Sequence, residues 1–191
     1  MIIGLTGGIA SGKSTVTHYL QDRYAIPVYD ADVYARQALA PGTSAWQAVV
    51  GRYGAAVLQA DGQINRRWLG ERVFTQPAER RWLEQLIHPW VRRCYTQITL
   101  PPGPVVFSIP LLFEAAMTDL VQQIWVVWCT TQQQYQRLMH RNGLTHAQAH
   151  TRIQAQLPLA LKMLWADRLL DNSGTLGHLY RQIDRYVAEL S

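Results

Sequence analysis

Gly7-Gly8-Ile9-Ala10-Ser11-Gly12-Lys13-Ser14 satisfies the pattern G-x-x-x-x-G-K-[ST], and Thr15 follows. The pattern constrains the fold because its context matters as much as its residues. Met1-Ile2-Ile3-Gly4-Leu5-Thr6 before it reads as a short buried strand, and residues 13–23 after it read as a helix. Glycines in such a strand–loop–helix junction let the chain turn tightly, so that backbone amides face inward, and the helix adds its positive N-terminal end. The arrangement is a cradle for phosphate oxygens. In it Lys13 reaches β- and γ-phosphates, and the Ser14 hydroxyl is placed to ligate Mg²⁺. The whole loop from Gly7 through Gly8, Ile9, Ala10, Ser11, Gly12, Lys13 and Ser14 to Thr15 is therefore assigned to the nucleotide. A chance match in an ordinary strand–turn–helix is the bland alternative, and the correct flanking elements argue against it.

The basic residues sharpen this reading. Of 18 lysines and arginines, only Lys13 and Lys162 are lysine. A compact ammonium and a planar guanidinium are not interchangeable, so a position that keeps lysine in an arginine-rich chain is suspect on chemical grounds. The net charge of +5 fits either a nucleic-acid surface or basic groups converging on a polyphosphate. No lysine/arginine-rich run and no RNA-binding signature occurs, so a small phosphorylated ligand is expected and nucleic acid is not. Cys94 and Cys129 lie far apart without metal or redox spacing, which fits a reduced cytoplasmic setting. No apolar run approaches the roughly 18 residues of a spanning helix, so no membrane association is expected. A monomer is the expected state.

The remaining chain alternates strand and helix patterns. Ile26-Pro27-Val28-Tyr29 reads as a strand ending at Asp30, with a helix from Asp32 to Leu39. Helices are expected over 43–53, 66–74 and 77–99, the last interrupted at His88-Pro89. Residues 105–109 and 124–128 are continuous apolar runs suited to strands buried on both faces of a parallel sheet. Thr131 with Gln134 and Thr145 with Gln148 read as capping boxes of a helical hairpin, whose first helix stops at Asn142-Gly143. A strand near 168–170 and a C-terminal helix complete an α/β layered fold, with the helical insertion to one side.

A phosphate loop serves GTPases, ATPases and kinases alike. The guanine-specific string Asn/Thr-Lys-x-Asp is absent. The strand at 105–109 runs into Pro110-Leu111-Leu112-Phe113-Glu114 rather than ending in a metal-binding aspartate. A kinase of small molecules remains the favoured class, with a weakly hydrolysing regulatory module as the rival from another class.

Longer strings carry a specific resemblance. The loop from Leu5 to Thr15, Asp30-Ala31-Asp32 with Ala35-Arg36, Gly62-Gln63-Ile64-Asn65-Arg66 and His88-Pro89 resemble those of dephospho-coenzyme A kinases. So do Pro110-Leu111-Leu112-Phe113-Glu114, Gln134-x-x-Arg137 with Arg141, Arg152-Ile153-x-x-Gln156, Lys162, and Ala166-Asp167 with Asn172. They run in the family's order from near residue 2 to about residue 174. The resemblance implies a three-layer P-loop fold with a mostly parallel five-stranded sheet. It implies a core over about 1–40 and 101–191, a helical substrate region over about 41–100 and a lid over about 131–157. It further implies ATP-dependent phosphorylation of the ribose 3′-hydroxyl of dephospho-coenzyme A, with another metabolite such as a nucleoside monophosphate as the competing acceptor. Ala10 departs from the family's usual glycine, and would cost about 1 kcal/mol if the position needs positive φ.

Roles follow from chemistry and position. A ribose hydroxyl needs a carboxylate to take its proton, and Asp32 is the candidate; as a residue at a strand–helix junction it is also a natural N-cap. Arg137 and Arg141 are four apart on one helix and share a face. They form either a solvated stripe or a lid pair that neutralises the transferring phosphoryl group. Arg36, Arg66 and His88 are expected to line the acceptor site, although His88 before proline also suits a kink, and Lys162 is expected to contact a phosphate of the substrate or of the nucleotide. Trp68, Trp82 and Trp90 are expected to serve the core.

Overall fold

The computed structural model describes residues 1–190. Its elements run β1 (Ile2–Gly7), α1 (Lys13–Tyr24), β2 (Val28–Asp30), α2 (Ala31–Ala38), α3 (Ser44–Tyr53), α4 (Arg66–Thr75), α5 (Pro77–Thr96), β3 (Val105–Ser108), β4 (Gln123–Trp128), α6 (Thr131–Asn142), α7 (His146–Gln154), α8 (Leu159–Leu164), β5 (Arg168–Asp171) and α9 (Leu176–Ala188). Residues Met1–Asp30 together with the chain from Thr99 onward form one compact unit, and Ala31–Ile98 form a second.

The first unit is a five-stranded sheet in the order β2-β3-β1-β4-β5, parallel throughout. Parallel strands need covering on both faces, which explains why β1, β3 and β4 are apolar without alternation. β1 is central, flanked by β3 and β4, and the strand order reverses there. Open parallel sheets hold ligands beyond the carboxyl ends of the strands at such a switch point, and the Gly7–Thr15 loop leaves β1 at that place. The core comprises Ile3, Leu5, Val16, Leu20, Val106, Trp125, Val127, Leu170, Leu179 and Ile183, all without exposure. It anchors β1 and α1 on either side of the loop, and each such side chain contributes about 1.5–3 kcal/mol.

The helical unit has its own core of Leu39, Ala45, Val49, Val57, Ile64, Leu69 and Val73, against which Trp68 and Trp82 pack as expected. Thr43 caps α3 and Asn65 caps α4, each accepting from an amide three residues on. Arg52 donates twice to Glu79, at 2.8 Å each, and lies 4.4 Å from the Trp82 ring centre. The Tyr53 hydroxyl donates to the same carboxylate. With the Arg52 and Tyr53 hydrogen bonds as its main causes, the Glu79 pKa falls to about 2.

Two sequence expectations need correction. The 77–99 helix is not interrupted at His88-Pro89: α5 runs unbroken from Pro77 to Thr96 with Pro89 inside it. Proline costs an interior helix its bond to the carbonyl four residues back. Here both Pro89 and Gln85 are exposed, so the bond is lost where solvent is close, while Leu83, Leu86 and Ile87 hold the helix to the core. The first capping box is one residue earlier than expected. Thr130, not Thr131, caps α6 in reciprocal bonds with Gln133. The run Thr-Thr-Gln-Gln-Gln satisfies the pattern in either register, and the structure frees Gln134 for another task. The Thr145–Gln148 box and the left-handed stop at Gly143 stand as expected. Among the described residues no helix is long and apolar enough to cross a membrane.

Candidate nucleotide site

Helix α1 differs at its start from α3, α4, α6, α7 and α9, whose N-caps are threonine or asparagine side chains. Its N-cap is Gly12, at φ 103°, with no side-chain bond. The side chain that elsewhere satisfies the first amides is missing, and the N–H groups of Gly12, Lys13 and Ser14 have no acceptor among the described residues. Unpaired amides at a helix N-terminus form an anion site. Only glycine fits at position 12, since a Cβ there would collide with the Asn172 amide.

The loop itself is tightly tethered. Ser11 N–H closes a turn onto the Gly8 carbonyl at 3.0 Å. Asn172, buried just beyond β5, donates to the Ser11 carbonyl at 2.8 Å. Arg137 from α6 donates to that carbonyl at 3.4 Å and to the Asn172 carbonyl at 2.9 Å. Gln134, one turn earlier on α6 and buried, donates to the Ile9 carbonyl at 2.8 Å. Gln156, beyond α7, accepts from the Ile9 N–H at 2.8 Å. Gln134 can come so close because residue 8 is glycine; a Cβ there would meet its amide nitrogen. Between these anchors Ala10 sits at φ 60°, in the left-handed region that L-residues pay to enter. The condition attached to alanine at this position is therefore met.

Lys13 donates to the Ser108 hydroxyl at 2.6 Å, at the carboxyl end of β3. Asp30, at the end of β2, is the register partner of Ser108. Ser14 is exposed in the first turn of α1. The Ser11 hydroxyl is buried without a partner among the described residues. Amide donors, an ammonium and an exposed hydroxyl make a donor set that fits a polyphosphate carrying a hard cation. Cys129 lies near Arg137, but burial pushes its thiol pKa up, so it packs as a neutral group.

The other expected site residues fall in several places. Arg137 is half-buried and engaged with the loop backbone, whereas Arg141 is exposed one turn on, with its Nε on the Asn142 side chain. Lys162, on α8, has no exposure. Its ammonium lies 2.8 Å from Glu114 Oε1 and 3.1 Å from the Pro110 carbonyl. The same Glu114 oxygen accepts from Leu157 N–H at 3.0 Å. Asp32 and Arg36 lie exposed on α2, Arg66 exposed at the start of α4, and His88 half-buried on α5, all in the helical unit. Sequence reasoning assigned no site role to Gln134, Gln156, Asn172, Ser108 or Glu114. The capping pattern accounted for Gln134; Glu114, Gln156 and Asn172 stand in the strings that carry the family resemblance, which name no role for them, and Ser108 carries no local signature.

A family model described as dephospho-CoA kinase matches residues 1–178. A curated dephospho-CoA kinase from Synechocystis sp. is 53% identical over 185 residues, covering 95% of this chain and 92% of the relative. Among solved structures, TT1252 from Thermus thermophilus aligns with a TM-score of 0.79 at 32% identity, covering 100% of this chain and 98% of that one. A dephospho-CoA kinase from Campylobacter jejuni has the same fold, with a TM-score of 0.72 at 22% identity and coverage of 100% and 96%. A phosphate loop at the switch point of a parallel sheet and a family match over nearly the full length agree, and the chain belongs to the dephospho-CoA kinase family.

Proposed function

We propose that this chain transfers the γ-phosphoryl group of ATP to the ribose 3′-hydroxyl of dephospho-coenzyme A, giving coenzyme A and ADP in the last step of coenzyme A synthesis. The observation that carries the reading is the Gly12-capped start of α1, with its unpaired amides, in a chain of this family. Phosphoryl transfer is chiefly positioning and charge neutralisation. The amides of Gly12, Lys13 and Ser14 hold the phosphates, and the Lys13 ammonium exchanges the Ser108 hydroxyl for phosphate oxygens. The Ser14 hydroxyl would hold Mg²⁺, which would supply charge neutralisation on the β- and γ-phosphates. Arg137 and Arg141 add positive charge from α6.

Asp32 is the base. The hydroxyl oxygen bonds to Pγ as the bond from Pγ to the β,γ-bridging oxygen breaks; ADP leaves with that electron pair, and the hydroxyl proton passes to Asp32. Arg36, Arg66 and His88 of the helical unit bind the acceptor's phosphates and ribose. Lys162 joins them only by giving up Glu114. The enzyme acts as a cytoplasmic monomer.

The test is a coupled ADP-release assay with dephospho-coenzyme A or a nucleoside monophosphate as acceptor. Rapid release with dephospho-coenzyme A, lost in Asp32→Asn while ADP binding persists, is expected. Release only with nucleoside monophosphates would replace the acceptor. No acceptor-dependent release, or full turnover in Lys13→Ala, would sink the reading.

A further inference from the structure

Ala10 stands at φ 60°, a conformation that costs an L-residue about 1–2 kcal/mol. Such strain persists only where the surroundings over-determine it. The surroundings here are specific. The peptide groups of Ile9 are held on both sides by two glutamines, one on α6 and one just beyond α7: Gln156 Oε1 takes the N–H and Gln134 Nε2 serves the carbonyl, each at 2.8 Å. On the other side of Ala10, the Ser11 carbonyl is held by Asn172 and Arg137. With the backbone fixed before and after it, Ala10 has one φ that joins the two ends.

We infer that Gln134 and Gln156 are positioning residues for the nucleotide: they act through the Ile9 backbone to hold Ala10 left-handed, and so keep the loop in its phosphate-binding shape before any nucleotide arrives. Both side chains come from the segment that carries the α6–α7 hairpin. The bonds that shape the loop thereby also tie that hairpin to it. Arg137 belongs to the same brace, spending its guanidinium on the carbonyls of Ser11 and Asn172. The inference rests on the reading that the loop binds nucleotide.

Its magnitude follows from population arithmetic. An apparent dissociation constant rises by the reciprocal of the competent fraction. Without the glutamines, alanine at position 10 would occupy the left-handed well only about a thirtieth to a sixth of the time, from its penalty of roughly 1–2 kcal/mol. Glycine would occupy it about half the time, because it enters either hand almost equally. The penalty for removing the glutamines must then depend on the residue at position 10.

The experiment is Mg²⁺·ADP titration by calorimetry on four full-length proteins: native, Gln134→Met/Gln156→Leu, Ala10→Gly and the combination. Removing the glutamines is expected to weaken ADP binding about six- to thirtyfold with Ala10 but only about twofold with glycine there. A merely structural role would lower the melting temperature alike in both backgrounds and leave no such difference in affinity. Equal penalties in the two backgrounds, or none, would overturn the inference while leaving nucleotide binding intact. A native protein that binds no ADP would overturn the proposed function as well. If the paired variant does not fold, Gln156→Leu alone is put through the same comparison. It removes only the acceptor of the Ile9 N–H, and the same inequality is required of it.

Discussion

Replacing Lys162 by methionine should unfold this protein far more readily than it should disturb its substrates. Lys162→Met keeps the length and apolar stem of the side chain and deletes only the ammonium. In the native protein that ammonium has no exposure and sits 2.8 Å from Glu114 Oε1, while Glu114 retains 18% of its side-chain surface. Deletion leaves Glu114 with the Leu157 N–H as partner for one oxygen and none for the other, which is already buried and unpaired. It also strips the Pro110 carbonyl of one donor, leaving the Thr6 hydroxyl at 3.1 Å.

Breaking a buried pair by removing one partner costs about 3–5 kcal/mol, and the residual exposure of Glu114 places this pair at the lower end, near 3 kcal/mol. For a chain of this length that is a fall in melting temperature of about 6–12 °C. Urea denaturation followed by tryptophan fluorescence measures the loss directly. The double variant Lys162→Met/Glu114→Gln removes both charges and keeps an acceptor for Leu157 N–H, so it should recover about 2 kcal/mol of the deficit. Below its transition Lys162→Met should keep its KM for dephospho-coenzyme A. Native stability in Lys162→Met together with a large rise in that KM would refute the reasoning, and would return Lys162 to the acceptor site.

Two further perturbations test the backbone and the helical unit. Ala25 ends α1 in the left-handed region at φ 52°, remote from the loop contacts; Ala25→Gly should stabilise the fold by about 1 kcal/mol, raising the melting temperature by about 2–4 °C with turnover unchanged, as scanning calorimetry and the ADP assay will show. The Glu79 pKa is lowered from 4.5 to about 2 by Arg52 and Tyr53, so its contribution is fully present above the unfolded value and is lost as pH falls through that window. Acid titration of the tryptophan and tyrosine signals should show this limb in the native protein. It should be shallower in Arg52→Ala, and an identical acid limb in the two would refute the assignment.

How far the residues alone disclose this molecule depends on whether a job is done locally or across the chain. The strand, loop and first helix are legible because one backbone shape needs glycine at 12, lysine at 13 and an apolar strand before them, all within a dozen residues. The five-stranded parallel sheet is legible because burial on both faces leaves apolar runs at 105–109 and 124–128. Lys162 stands out by its rarity, yet rarity says only that an ammonium is needed, not for whom. Its partner Glu114 lies on another segment, and nothing in the spacing links them.

Gln134 marks the limit more sharply. In the string Thr130-Thr131-Gln132-Gln133-Gln134 the local capping pattern fits two registers, and it is the packing of α6 against the loop that selects Thr130 and Gln133 as the box. That choice turns Gln134 inward onto Ile9 and leaves Arg137, one turn on, against Ser11. Ala10 could be read from the sequence only as a conditional: strained if its φ is positive. The fold supplies both the condition, φ 60°, and the two glutamines that hold it. The residue that looks like a blemish in the phosphate loop thus becomes its most sensitive probe, because alanine makes the loop's shape depend on contacts that glycine would leave nearly silent.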